Sequence, residues 1–284
     1  MASSPEPGTP EAWAAARPPR PSSGDPEVVF AIPLISKARA YDWATVCHRL
    51  AETLGSLRAQ SSHRWRAFIC CQDRPEGISW DEQVTFLPFE IVDEVSAETV
   101  TRFDNHAKKE RIFAHLAETH GGDGYLFQLD ADDLLHPGLV EHIVTDDNGA
   151  GYWIEEGYML DLRTGALAYM GPKSLRHPFA HTFIRECGSS SALRFDFRDG
   201  EETLTPIRDR GKHAEVPERM ARYGYRMTPV PFPAALYLVG HGENMRQRRG
   251  KLGAKESYLR RNRLRAARAR EVRNEFGLTE LPLS

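Results

Sequence analysis

Three carboxylates stand within four residues, where Asp130, Asp132 and Asp133 directly follow the apolar run 125–129. Like charges this close together destabilise one another unless a cation joins them. Hard divalent cations such as Mg²⁺ and Mn²⁺ take oxygen ligands and often bridge phosphate groups. If the end of the strand is slightly bent, Asp130 and Asp132 aim at one site. The spacing therefore predicts a Mg²⁺ or Mn²⁺ site for a phosphate-bearing ligand.

Two plainer interpretations of these aspartates stay open: they cap the helix predicted after Pro137, or they form an acidic loop without a chemical role. The apolar strand before them and the helix after them favour the metal site. A calcium-binding EF-hand loop fits poorly, because Leu135 occupies the position that requires glycine. A nucleotide-diphosphate sugar suits the predicted site, since a metal ion neutralises the charge that builds on a departing diphosphate.

The predicted elements indicate what positions the aspartates. Apolar runs predict strands, and apolar residues at helical spacing predict helices. Strand and helix alternate along the first half of the chain, which is typical of a doubly wound α/β sheet with its ligand beyond the carboxyl ends of the strands. The predicted strands are residues 28–33, 65–71, 84–89, 125–129, 152–154, 158–160 and 236–239, and the predicted helices are residues 43–60, 99–120, 139–144 and 217–223. Residues 172–210 look loop-rich.

Composition bounds the class of protein. The chain has 284 residues, of which 40% are hydrophobic and 27% charged, as expected of a globular protein. Its formal net charge of −3 argues against a general nucleic-acid binder. Nothing in the sequence is long and apolar enough to span a bilayer, and residues 1–26 lack the features of a secretory signal and are predicted to be a disordered leader. The four cysteines are expected to be free buried thiols in a reducing cytoplasm.

Positive charge is concentrated near the end of the chain. Between residues 246 and 273 only Glu256 and Glu271 oppose a dense series of arginines and lysines. The segment is predicted to be a helical tail, residues 246–284, that either is simply solvated or attracts an anionic partner, such as lipid or a lipid-linked diphosphate. The sequence thus predicts a cytoplasmic protein with at most peripheral contact to the inner face of the membrane.

These motifs together resemble the family-two-like glycosyltransferases of the GT-A fold. The similarity runs from about residue 28 to residue 248, and its most specific part is the helix, strand and Asp-x-Asp signature spanning residues 108–133. Residues 236–244 are similar to the late strand and His-x-x-Asn stretch of that family. The resemblance implies a GT-A-like (Rossmann-like) α/β domain over residues 27–245, with a mostly parallel sheet sandwiched by helices.

The resemblance also implies roles for individual residues. A nucleotide-diphosphate sugar donor, an acceptor hydroxyl and Mn²⁺ or Mg²⁺ are the expected ligands. Metal ligands would be Asp130, Asp132 and His241. Residues expected at the donor are Pro33, Lys108, Arg111, Asp130, Asp133, Ser189, Ser190 and Arg246.

One departure from the family concerns the general base. Inverting members carry a Glu-Asp pair before the helix that precedes the last strand, and here Lys212 and His213 stand in its place. A histidine can act as a base near neutral pH, so His213 and the nearby Glu215 are the candidate catalytic residues. The departure keeps two alternatives open: a GT-A-shaped binding protein without catalysis, and a metal-dependent nucleotide-sugar hydrolase. A nucleotidyltransferase is disfavoured, because residues 33–37 contain no glycine.

Overall fold

The structure is a computed structural model, which describes residue 6 and residues 8–17, 20–90, 94–243 and 252–278, with only the backbone of 94–103 and 252–254. The strands of the described part are β1 (Glu27–Pro33), β2 (Trp65–Cys71), β3 (Val84–Pro88), β4 (Asp123–Gln128), β5 (Asp133–Leu135), β6 (Gly151–Trp153), β7 (Gly157–Asp161), β8 (Leu167–Met170), β9 (Ser191–Asp196), β10 (Thr228–Pro229) and β11 (Ala235–Val239). Its α-helices are α1 (Pro10–Ala16), α2 (Trp43–Arg58), α3 (Glu94–Thr119), α4 (Leu139–Asp146), α5 (Phe183–Glu186), α6 (Thr205–Arg208), α7 (Val216–Arg222), α8 (Leu252–Asn262) and α9 (Ala266–Glu275).

A seven-stranded sheet with the order β10-β6-β9-β4-β1-β2-β3 forms the centre of the molecule. Strand β1 pairs in parallel with β2 and β4, and β2 pairs in parallel with β3, whereas β9 is antiparallel to both β4 and β6. Residues 28–32 of β1 are wholly buried, as expected for a strand covered on both faces. The predicted class, an α/β fold with a mixed and mostly parallel sheet flanked by helices, is confirmed.

A smaller sheet with the order β5-β11-β7-β8 receives the chain directly after β4. Strand β5 is antiparallel to β11, so that Asp133 lies opposite Tyr237. The three aspartates therefore stand where the chain leaves the large sheet, at the carboxyl end of β4, and enters the small one. That edge is also the carboxyl end of β1 and β2, the edge at which ligands of such sheets bind.

The segment 172–210, which looked loop-rich in the sequence, supplies a central strand. All six residues of β9 are buried, including Arg194 and Asp196. Arg194 is neutralised by an ion pair with Asp123 of β4 and lies 5.4 Å from the ring centre of Tyr125. Charged side chains hide the strand pattern in the sequence, while their partners make its burial possible.

The interpretation of residues 1–26 as a disordered leader is wrong for the part that forms α1. Thr9 caps this helix by accepting a hydrogen bond from Ala12 N at 3.2 Å. Trp13 packs edge-on against Tyr223 with a centroid separation of 5.5 Å, and Glu11 pairs with Arg222 at 2.9 Å. The apolar contact of Trp13 with Tyr223 thus holds α1 against the domain, although the segment has few other apolar residues.

The described part of the predicted basic tail forms two helices, α8 and α9, and not one. Between them the backbone N–H of Leu264 donates to the carbonyl of Leu167 at 2.8 Å, so the tail adds to the edge of β8. Val272 and Phe276 are buried against the small sheet. None of the described helices has the length and apolar composition needed to cross a membrane. All four cysteines are buried and free, as predicted.

A partly buried ion-pair cluster at the start of β1 gives a prediction about pH. The Glu27 carboxylate lies 2.7 Å from both Arg66 Nη2 and His120 Nε2. Burial alone would raise the pKa of Glu27, but the hydrogen bonds from His120 and Arg66 outweigh it and lower the pKa below 4.5. Because Nδ1 of His120 accepts a hydrogen bond from Gly122 N, the ring proton is on Nε2. Nε2 is therefore the donor that faces Glu27.

We expect Glu27→Gln to lower the free energy of unfolding at pH 7 by about 1–3 kcal/mol, because it removes the charge from these bonds. A carboxylate whose pKa is lower in the folded state than in the unfolded state stabilises the fold at pH values above its unfolded pKa. This stabilisation is lost as the pH falls through the pKa of the folded state. The difference in the free energy of unfolding between wild type and variant, measured in urea, should thus be largest at pH 6 to 7 and decrease below about pH 4.5. The exposed Glu118→Gln is the control, and a pH-independent difference would contradict the assignment.

Candidate active site

The acidic turn, residues 130–133, is held in shape by hydrogen bonds to the loop before β9. Asp130 N donates to Ser189 Oγ at 2.9 Å, and Ser189 Oγ donates to Asp133 Oδ2 at 2.6 Å. Cys187 Sγ lies 3.0 Å from the same carboxylate oxygen. Ser189 thus bridges the loop before β9 to the aspartates of the turn.

Asp133 is the structural anchor of the acidic turn. It is wholly buried, and burial together with the neighbouring Asp132 and Asp130 raises its pKa well above the usual range. Its Oδ1 is buried without a hydrogen-bond partner among the described residues. Donor contact was predicted for Asp133, Ser189 and Ser190 and stays a prediction; all three residues are 0% exposed, and Ser189 and Asp133 hold the turn together through their mutual hydrogen bond.

Asp132 and His241 meet at the junction of the two sheets, as the predicted metal site requires. Nε2 of His241 lies 2.8 Å from Asp132 Oδ2, and the histidine side chain is 4% exposed. Its other nitrogen, Nδ1, is buried without a hydrogen-bond partner in the described part of the chain. Gly240, at φ +83°, has no room for a Cβ, which would lie 2.2 Å from Asp161 Oδ1, so only glycine brings the chain to His241 in this way.

Asp130 faces a cationic side of the site. The residue is open to solvent, yet the surrounding protein and the charge of Asp132 raise its pKa, against the effect of Lys109, Arg210 and His213. Solvent exposure together with a raised pKa is typical of a carboxylate inside an open cleft. Gly188 borders it, since a Cβ there would lie 3.2 Å from Asp130 Oδ2.

Lys109 and Arg210 are the site residues that sequence reasoning missed. Burial, and then the charge of Arg210, lower the pKa of Lys109 to about 8, while Asp130 acts in the opposite direction. Arg210 Nη1 is buried and has no hydrogen-bond partner among the described residues. Two cations beside an acidic turn can bind an anion that also touches the aspartates.

Lys108, predicted at the donor, has a different role. It is 1% exposed, and its Nζ donates to Leu34 O at 2.6 Å and to Asp104 Oδ2 at 2.8 Å. This contact fixes the loop after β1 to α3. Lys108 was expected at the donor; its contacts are with Leu34 and Asp104, while helical geometry turns Lys109, one position later, toward Asp130.

Arg111 and Pro33, both predicted at the donor, differ in their position relative to the acidic turn. Arg111 acts electrostatically on Cys70 and His115, and no described contact joins it to the aspartates. Pro33 ends β1 at the sheet edge where the acidic turn also lies, opposite Cys70 of β2. Arg246, the remaining donor-site prediction, lies outside the described residues.

The two candidate bases differ in their surroundings. Nδ1 of His213 contacts the carbonyl oxygen of Ile184. A carbonyl only accepts hydrogen bonds, so Nδ1 carries the proton and the neutral ring keeps its lone pair on Nε2. The Glu215 carboxylate lies 3.7 Å from Arg219 Nε, and no described contact brings it to the acidic turn. His213, whose charge acts on Asp130, is thus the better placed of the two.

No set of three or more His, Cys, Asp or Glu side chains is assembled as metal ligands within the described ranges. The predicted set of Asp130, Asp132 and His241 is therefore only partly brought together, as the Asp132–His241 pair with Asp130 nearby. The chemistry of the two carboxylates nevertheless suits Mn²⁺ or Mg²⁺, because carboxylate oxygens are the preferred ligands of these ions.

Comparison with protein-family models and with curated proteins gives no match. Among solved structures, the chain is similar to a putative glucose-1-phosphate thymidylyltransferase from Bacillus anthracis, at 9% identity, over 81% of this chain and 95% of that chain, with a TM-score of 0.36. This is a distant likeness of architecture, on which no assignment of activity rests.

Proposed function

We propose that the chain transfers a sugar from a nucleotide-diphosphate sugar to an acceptor hydroxyl. The observation that carries the proposal is that acidic and basic side chains lie together at the carboxyl end of β4. Asp130 and Asp132 supply carboxylates, while Lys109 and Arg210 supply cations beside Asp130. A diphosphate chelated to a divalent ion needs both, since the ion binds to carboxylates and the remaining phosphate charge binds to cations.

Arg210 is the residue best suited to the diphosphate. Its buried Nη1 lacks a partner, and a buried guanidinium N–H without an acceptor is costly. A phosphate oxygen would satisfy it, and the planar guanidinium can donate two parallel hydrogen bonds to phosphate. Lys109 adds a second positive charge from α3.

A divalent ion would be held by the carboxylates of Asp132 and Asp130; His241, predicted as a third ligand, could bind the ion through Nε2 only in place of its hydrogen bond to Asp132. Mn²⁺ or Mg²⁺ there would neutralise the charge that develops on the leaving diphosphate. The residues of the chain do the rest. His241 orients Asp132 through its 2.8 Å hydrogen bond, and Ser189 fixes the turn that presents both aspartates.

His213 is the proposed general base. Its Nδ1 is engaged by the Ile184 carbonyl, so Nε2 can accept the proton of an acceptor hydroxyl as the new glycosidic bond forms. The proton then resides on the imidazole, whose cationic form is stabilised by the nearby Asp130 carboxylate. Glu215, held toward Arg219, is the second candidate for this role.

The test is incubation with UDP-glucose, GDP-mannose and dTDP-glucose in Mn²⁺, with and without a panel of saccharide acceptors. Nucleotide diphosphate released only when an acceptor is present supports transfer, whereas equal release without acceptor makes the protein a hydrolase. Donor binding without any release across the panel makes it a binding protein.

Arg210→Ala should weaken donor affinity by about tenfold, the value of one charge-assisted hydrogen bond. The matched control is Arg208→Ala, two residues earlier, whose side chain pairs with Glu110 on the surface. Equal effects of the two substitutions on the donor Kd would remove Arg210 from the site.

A further inference from the structure

A second recess, the basic cavity, lies between residues 173–186 and helix α8. Its volume is about 660 Å³, within the range of sites that bind small molecules. Cationic side chains dominate its lining, namely Lys173, Arg185, Lys255 and Arg261. The one carboxylate of the lining, Glu186, lies 3.1 Å from His181 Nε2. The cavity therefore carries an excess of positive charge.

An aromatic ring stands at the basic cavity together with its cations. Phe179 is 58% exposed, although a phenylalanine of a folded chain is normally buried. The guanidinium of Arg261 lies 5.7 Å from the centre of this ring. Asn262, also in the lining, has a buried Oδ1 without a partner in the described part of the chain. A flat apolar face, cations and an unsatisfied amide acceptor together fit a sugar ring that carries an acidic group.

The basic cavity and the acidic turn share a wall. Lys255, which lines the cavity, donates to the buried hydroxyl of Tyr237, and Tyr237 lies opposite Asp133 in the small sheet. On the other side, Glu186 of the lining is followed by Cys187, whose thiol lies 3.0 Å from Asp133. A ligand in the cavity is therefore separated from the aspartates by single side chains.

We infer that the basic cavity binds the anionic portion of an acceptor saccharide, which bears carboxylate or phosphate groups, while the reacting hydroxyl of that acceptor lies outside the cavity at the acidic turn. Arg185 and Arg261 hold the acidic groups, and Phe179 stacks on a sugar face. The assignment of the ligand as acceptor rests on the proposed function, whereas the binding of an anionic sugar does not.

The test measures binding to the whole protein by calorimetry with three probes: trigalacturonate for carboxylates, glucose 6-phosphate for phosphate, and neutral maltotriose. At least one anionic probe should bind, more weakly with added salt, while maltotriose should not. The double variant R185A/R261A should weaken that binding by about tenfold or more, since each guanidinium donates charge-assisted hydrogen bonds. Lys173→Ala should also weaken binding of the anionic probe. Because Lys173 lies on an exposed loop, this variant shows the effect without a folding defect.

Matched controls are Arg176→Ala and Arg260→Ala, exposed arginines of the same loop and the same helix that do not line the cavity. The inference is overturned if neither anionic probe binds, if maltotriose binds equally well, or if the control variants lower affinity as much as R185A/R261A. Anionic sugar bound through Arg185 and Arg261 without consumption of any donor would overturn the transferase proposal alone. Transfer to acceptors that is indifferent to R185A/R261A would overturn this inference alone.

Discussion

Asp132→Asn is expected to lower kcat for sugar transfer at least about hundredfold, because a metal ion stabilises the departing diphosphate by several kcal/mol. Asparagine keeps the shape of the side chain and can still accept the hydrogen bond from His241 Nε2. The substitution therefore removes the charge while leaving the acidic turn in place. Initial rates with the donor identified in the screen, at saturating Mn²⁺, measure the effect.

The control for this substitution is Asp25→Asn, which removes an exposed carboxylate whose one ion pair among the described residues is with Arg64, at 3.2 Å. Its kcat should equal that of wild type. An unchanged melting temperature for Asp132→Asn would show that the fold is intact. Wild-type rates in the Asp132 variant would remove this residue from the metal site.

Asp123→Ala should destabilise the fold by about 3–5 kcal/mol, since it leaves the Arg194 guanidinium buried without its main counter-charge. Both side chains are nearly inaccessible, at 1% and 3% exposure. Asp123 Oδ2 also accepts a hydrogen bond from Ser23 N at 3.1 Å, which ties the segment before β1 to the sheet. Urea unfolding monitored by circular dichroism gives the free energy.

A double-mutant cycle with Arg194→Met separates the pair from its parts. Methionine fills a similar volume without a charge, so the double variant should be more stable than Asp123→Ala alone. The exposed pair of Arg64 and Asp25, at 3.2 Å, is the comparison, and Asp25→Ala should cost less than about 1 kcal/mol. Equal costs for the two aspartates would contradict the burial argument.

The sequence predicts best what local patterns determine. An apolar strand that runs into three aspartates is a contiguous signal, so the acidic turn is found at the carboxyl end of β4 as predicted. The partners of that turn come from distant segments. His241 was predicted because residues 236–244 are similar to a stretch of the resembled family, whereas Arg210 stands in a segment without regular periodicity and gave no comparable signal.

Helix phase explains why the prediction selected Lys108 and missed Lys109. One residue along a helix turns the side chain by about 100°, so neighbouring lysines can face the core and the cleft respectively. The spacing of Asp104 and Lys108, four residues apart, was a usable signal for an ion pair within α3. Thr9 before Pro10 is a sequence signal for the start of α1. The contact of Trp13 with Tyr223, which holds that helix against the domain, joins residues far apart in the sequence and gives no local signal.

Diffraction from crystals grown with Mn²⁺ and UDP, GDP or dTDP, recorded near the manganese absorption edge, tests the central claim most directly. The account predicts an anomalous peak beside the Asp132 carboxylate, with the diphosphate on its far side and in contact with Arg210. A nucleotide bound elsewhere, or a manganese peak away from residues 130–133, would contradict it.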